Sequence, residues 1–115
     1  MTISEVCEKY GLSQDTLRYY EKIGLISKIG RTSGGFREYT ELDCQRLLMI
    51  KLMRTAGMSI AKILEYVDML NTGDETSETR KHILIEQRNQ LTARIEELQD
   101  TLKMLNKQIE ENLPA

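Results

Sequence analysis

The chain has 115 residues, of which 40% are hydrophobic and 30% charged, and a net charge of −2 at pH 7. No apolar run approaches the ~20 residues that cross a bilayer, and the start MTISEVCEKYG has no signal-peptide core, so the reading is a cytoplasmic protein with no membrane partner. Two distant cysteines, Cys7 and Cys44, and the lone His82 supply no disulfide framework, metal-ligand set or nucleophile–base pair, so no catalytic residue, metal or cofactor is expected.

In chain order, Thr2-Ile3-Ser4-Glu5 has the capping-box pattern of a hydroxyl at the N-cap and a glutamate three positions on. A first helix is expected over Ile3 to Tyr10, ending at Gly11. Ser13 offers a second N-cap, Asp15 suits the positive end of the helix dipole, and the second helix should run to about Ile23 before Gly24. Two short helices joined at Gly11-Leu12 form a helix-turn-helix candidate.

From Ser27 to Tyr39 the chain holds three glycines, then Phe36-Arg37-Glu38-Tyr39, in which aromatic and charged residues alternate; a small hairpin, or wing, is expected. Thr40 can cap a third helix whose apolar face holds Leu47, Leu48, Ile50, Leu52 and Met53 up to Gly57. Ser59 can cap a fourth, carrying Ile60, Ile63, Leu64, Val67 and Leu70. A polar break follows from Asn71 to Ser77.

The remainder, Arg80 to Asn112, reads as one helix ~50 Å long. Leu91, Ile95, Leu98, Leu102, Leu105 and Ile109 are spaced 4, 3, 4, 3 and 4, a heptad seam. A single apolar stripe on a rod of that length calls for a second copy, so a homodimer is expected. The flanking Thr92, Arg94, Gln99, Thr101, Asn106 and Gln108 are nearly all uncharged, and charge pairing leaves parallel and antiparallel arrangements both open.

Charge and aromatic residues divide along the chain. Lys28 to Arg37 carries three basic residues and no acid, whereas Val67 to Ala115 has ten acids against six bases. Five of the six aromatic residues, Tyr10, Tyr19, Tyr20, Phe36 and Tyr39, fall in the first 39 positions. Core packing is the plain reading for Phe36 and for one of Tyr19 and Tyr20. Leu17 and Tyr20 are i and i+3 and can face inward together, which leaves Ser13, Gln14, Thr16, Arg18 and Tyr19 toward a nucleic acid.

The segment TISEVCEKYGLSQDTLRYYEKIGLI, then GRTSGGFREYTELD and KLMRTAGMSIAKI, resembles the MerR family of bacterial transcription regulators. The likeness is specific over residues 1–70 and extends to the long helix. It implies a mainly α fold: a winged helix-turn-helix head over 1–70, a polar linker over 71–79 and a dimerisation helix over 80–113 that forms an antiparallel coiled coil. It implies a homodimer on a pseudo-palindromic site in double-stranded promoter DNA, which bends and untwists an overlong spacer for RNA polymerase in response to an effector or stress. By position, Arg18 and Tyr19 should meet backbone or base edges with Thr16 near them; Arg31, Arg37 and Tyr39 should hold phosphates; Ser59 should offer a helix N-terminus to phosphate.

The proline that commonly follows GLI in the family is replaced by Ser27-Lys28, which implies a looser entry to the wing. No cysteine stands where metal-sensing members carry them, and no ligand domain is expected after the helix; KLMRTAGMSI, then Gly73-Asp74 and TRKHILIEQRNQL, resembles the short thiol- or aldehyde-stress branch. Its sensing cysteine is expected at Leu52; the nearest thiol is Cys44, two readings of which stand open, a sensor activated by Arg46 or Lys51 and a small buried packing residue. Cys7 reads as packing in the first helix. A coiled-coil adaptor using the helix-turn-helix to bind protein is the alternative function.

Overall fold

A computed structural model describes residues 1–112. Its elements are α1 (Ile3–Tyr10), α2 (Gln14–Lys22), α3 (Glu41–Thr55), α4 (Ile60–Thr72), a 3-10 turn (Asp74–Thr76) and α5 (Ser77–Glu111). The hydroxyls expected to start the first four helices do so. Thr2, Ser13, Thr40 and Ser59 accept from the backbone N–H of Glu5, Thr16, Asp43 and Lys62 at 3.2, 3.0, 3.1 and 3.1 Å. Each such cap is worth about 1 kcal/mol. Glu5 and Asp43 complete capping boxes, and the hydrogen bonds from Thr2 hold the Glu5 carboxyl below the usual carboxylate range.

Gly11 ends α1 in the left-handed conformation, φ 66°, which a Cβ would strain. The turn lets Leu17 and Tyr20 of α2 fold against Val6 and Tyr10 of α1, all buried in one core. Leu47, Ile50 and Met53 of α3, and Ile63, Tyr66 and Val67 of α4, complete it. Leu17, Leu47 and Ile63 are fully buried, and each contributes about 1.5–3 kcal/mol by leaving water.

Three expectations are corrected. Leu48 and Leu52 are 56% and 71% exposed: successive helical positions turn by about 100°, so a face built on Leu47 and Ile50 cannot include them. Phe36 is 74% exposed, its ring lying over Gly34, while Leu25, Ile26, Ile29 and Tyr39 fill the core below it. The wing is not a two-strand hairpin: among the described residues it is a loop closed by one isolated antiparallel bridge, Arg31 to Arg37. The ladder does not extend because Phe36 N–H donates to Thr32 Oγ1 at 3.3 Å and Tyr39 N–H to Met1 O, instead of to the facing backbone of the wing. Thr32 N–H still donates to Phe36 O at 2.8 Å and Glu38 N–H to Gly30 O at 2.9 Å, and Tyr39 exchanges backbone hydrogen bonds with Met1.

The polar break is shorter than its composition suggests. α4 continues to Thr72 and α5 begins at Ser77, not Arg80. Between them Gly73, at φ 110°, turns the chain, the Thr76 hydroxyl donates to Met69 O and Gly73 O, and Arg80 Nε donates back to Thr76 Oγ1 at 3.0 Å. The start of α5 is fastened to the head by buried Ile83 and by Gln87 Nε2, which donates to Ala56 O at 2.9 Å. Farther along, α5 runs free, and the chain spans 71 × 37 × 20 Å.

Candidate nucleic-acid interface

The second helix of the helix-turn-helix is set by which residues it buries. Leu17 and Tyr20 face the core, so Arg18 and Tyr19 face out, Tyr19 being 51% exposed. The adjacent tyrosines divide the work, one packing and one projecting, with ring centroids 6.4 Å apart and planes tilted by 47°. Ser13 and Gln14 are exposed at the N-terminal end, and Thr16 is half-buried, its hydroxyl accepting from Ser13 Oγ at 2.8 Å. Arg18 donates to Gln14 Oε1 at 3.2 Å and lies 3.6 Å from Asp15 Oδ1. That ion pair is exposed and worth little, so the guanidinium is cheaply released.

The wing is joined to this helix by an ion pair that sequence reading missed. Arg37 Nε donates to Glu21 Oε1 at 3.0 Å, with the two side chains only 22% and 16% exposed. Glu21 occupies the last turn of α2, sixteen positions before Arg37, and no spacing rule connects a helix end to a loop. Arg31 stays exposed and donates to Gly35 O at 2.8 Å, which stiffens the tip.

One expected contact, Tyr39, is placed differently. Tyr39 is 2% exposed, and its hydroxyl is buried without a hydrogen-bond partner among the described residues, so it supports the wing from beneath instead of reaching outward. Burial pushes its phenol above the ordinary value, with Arg37 pulling the other way. Ser59 is exposed at the N-terminus of α4, as expected, and lies beside Gly57, Ile83 and Gln87 by the root of α5.

Cys44 is buried, its Sγ 3.9 Å from Met1 Sδ, beside a groove of about 460 Å³ lined by Lys9, Tyr10 and Leu48. Lys51, one expected activator, is committed elsewhere: its Nζ donates to Tyr10 O at 2.7 Å. Cys7 is half-buried in α1, and exposed His82 sits on α5. Among the described residues no group of three or more His, Cys, Asp or Glu could hold a metal, and no helix is long and apolar enough to cross a membrane.

On α5 the seam is uncovered. Ile95, Leu98, Leu102, Leu105 and Ile109 are 46–59% exposed, and Leu91, nearest the head, is half-buried.

A helix-turn-helix whose second helix exposes Arg18 and Tyr19, a basic loop fastened to it and a long heptad rod is the architecture of a DNA-binding transcription regulator. The chain belongs to the MerR family: residues 1–70 match the MerR HTH family regulatory protein model, and residues 44–108 match the model described as MerR, DNA binding. It is 44% identical over 91 residues to the HTH-type transcriptional regulator AdhR of Bacillus subtilis, a match covering 79% of this chain and 65% of that one, just under two thirds of the relative's length. With the regulator ZntR of Escherichia coli it shares 37% identity over 106 residues, 91% of this chain and 75% of that one. Among solved structures it is similar to HiNmlR, a MerR family regulator lacking the sensor domain, bound to promoter DNA, with a TM-score of 0.90 and 32% identity over 96% of this chain and 83% of that one. The protein is a DNA-binding transcription regulator, as its relatives are.

Proposed function

We propose that the protein acts as a homodimer on a pseudo-palindromic promoter site in double-stranded DNA, with the seams of two α5 helices packed antiparallel as a coiled coil. The observation that carries this reading is the uncovered seam from Ile95 to Ile109 on a chain that presents one recognition helix. A lone rod with five half-exposed apolar residues is poorly stable in water, and its twin is the partner with the same periodicity. The division into a head over 1–70, a linker over 71–79 and a dimerisation helix over 80–113 belongs to the same reading, with Leu113 outside the described residues.

In this reading Ser13, Gln14, Thr16, Arg18 and Tyr19 meet base edges and nearby phosphates, Arg31 and Arg37 hold phosphates from the wing, and Ser59 offers the N-terminus of α4. Tyr39 serves them as packing. The dimer bends and untwists the promoter spacer so that RNA polymerase engages both promoter elements, and it works in the cytoplasm, on the nucleoid. HiNmlR supports the head-and-rod part of this account, since it binds promoter DNA while lacking a sensor domain. That DNA-bound likeness also favours a regulator over the protein-binding adaptor. For Cys44, burial against Met1 favours the packing reading over the thiol sensor.

The test is selection of bound duplexes from a random pool by the purified protein at near-physiological salt. An inverted repeat is the expected product. A dimer that enriches no sequence and binds DNA without steep salt dependence would be an adaptor.

A further inference from the structure

We propose that Glu21 is a positioning residue for DNA binding: it grips Arg37 through Nε and so presents the two terminal guanidinium nitrogens to a phosphate. The proposal rests on the reading of Arg37 as a phosphate contact.

The geometry separates the two ends of one side chain. A guanidinium has five N–H donors in a plane, one on Nε and four on the terminal nitrogens. Only the Nε donor is taken, by Glu21 Oε1 at 3.0 Å; the terminal nitrogens of Arg37 make no hydrogen bond among the described residues. A bond at Nε fixes the plane of the fork while leaving its bidentate edge open, the edge that matches two oxygens of a phosphate. Both side chains are largely withdrawn from water, so the pair holds its arrangement better than a surface ion pair does.

The surroundings require such a holder. Arg37 lies opposite Arg31 in the only bridge of the wing among the described residues, and like charges facing each other across a bridge repel. Glu21 offsets that repulsion and draws Arg37 toward the recognition helix, while Arg31 is tied to the tip through Gly35 O. The α2 helix and the wing thereby acquire a fixed relation, although one is a helix and the other a glycine-rich loop. A flexible arginine loses rotamer freedom when it grips a phosphate; here that freedom is already restricted before DNA arrives.

Charge alone makes the opposite forecast. Glu21 places a negative charge beside a group meant for a phosphate, so simple electrostatics has every neutral substitution tightening DNA binding. Glu21→Gln keeps an acceptor oxygen at the same reach without the charge, and Glu21→Leu removes both. With the full-length protein and a duplex enriched in the selection above, titrations at several salt concentrations distinguish the two. The expected result is that Glu21→Gln binds at least as tightly as wild type. Glu21→Leu is expected to bind roughly tenfold more weakly, with a salt slope flatter by about 0.9 per protomer, the signature of one lost phosphate contact. Glu21→Leu binding as tightly as wild type, or more tightly, overturns the proposal.

Two further variants separate positioning from folding and from the underlying reading. Glu21→Leu combined with Arg37→Ala should bind as Arg37→Ala does alone, because without the guanidinium Glu21 has nothing to hold; a further loss overturns the positioning role. Arg37→Ala with an unchanged salt slope overturns the phosphate reading and the proposal together. A flattened slope for Arg37→Ala beside a wild-type slope for Glu21→Leu overturns the proposal alone.

Discussion

Lys51 of α3 closes the end of α1: its ammonium donates to the carbonyl of Tyr10 at 2.7 Å, where the last turn of that helix has acceptors left over. A cation at a helix C-terminus also meets the negative end of the dipole. The contact spans 41 positions of sequence and ties the helix-turn-helix to the rest of the head. Lys51→Met keeps most of the side chain's bulk and removes the charged donor. It should lower unfolding stability by about 1.5–3 kcal/mol in urea titrations, with little change in DNA sequence preference.

Tyr39 gives a prediction of opposite sign. Its hydroxyl is buried and unpartnered, so Tyr39→Phe removes an uncompensated polar atom and should leave stability equal or raise it by about 1 kcal/mol. DNA affinity should not fall, as it would if the hydroxyl held a phosphate. The phenol also has a pH signature. Its folded value is raised, so above the ordinary tyrosine value of about 10 the unfolded chain gives up this proton first, and binds fewer protons than the folded chain. The stabilisation is whole below that pH and is lost as pH climbs through the raised folded value. Wild type should therefore lose more stability in alkali than Tyr39→Phe.

Arg37 and Thr16 should separate affinity from specificity. Arg37→Ala is expected to weaken all duplexes alike and flatten the salt dependence, whereas Thr16→Ala, within the N-terminal half of the recognition helix, should alter which sequences are enriched. Competition titrations with matched and mismatched duplexes measure both.

The centre of the seam should control assembly. Leu98 and Leu102 are each more than half exposed, so Leu102→Lys does little to the head's core but puts a charge into the proposed coiled coil. Sedimentation equilibrium should show a monomer, with DNA affinity falling by orders of magnitude because two linked half-site contacts become one.

Much of this was legible because the signals were local. Thr2, Ser13, Thr40 and Ser59 announce helix starts through hydroxyls that reach only a few residues ahead, and the heptad from Leu91 to Ile109 repeats on its own helix. What was illegible depends on residues meeting across the chain. Phe36 and Tyr39 have the same alternating context, yet the fold turns one outward and seals the other beneath the wing. Nothing in the sequence marks Glu21, because its partner Arg37 lies sixteen positions on, in the wing, and the two meet only in the fold. Gly73 and Thr76 shortened a break whose polar composition suggested a longer linker.

The most direct test of the central claim is a hydroxyl-radical footprint of the protein on a duplex enriched by selection. A dimer carrying two copies of α2 predicts two symmetric protected regions on one face of the DNA, centred about 34 Å apart, one turn of the double helix. A single protected patch, or protection without two-fold symmetry, would contradict the account.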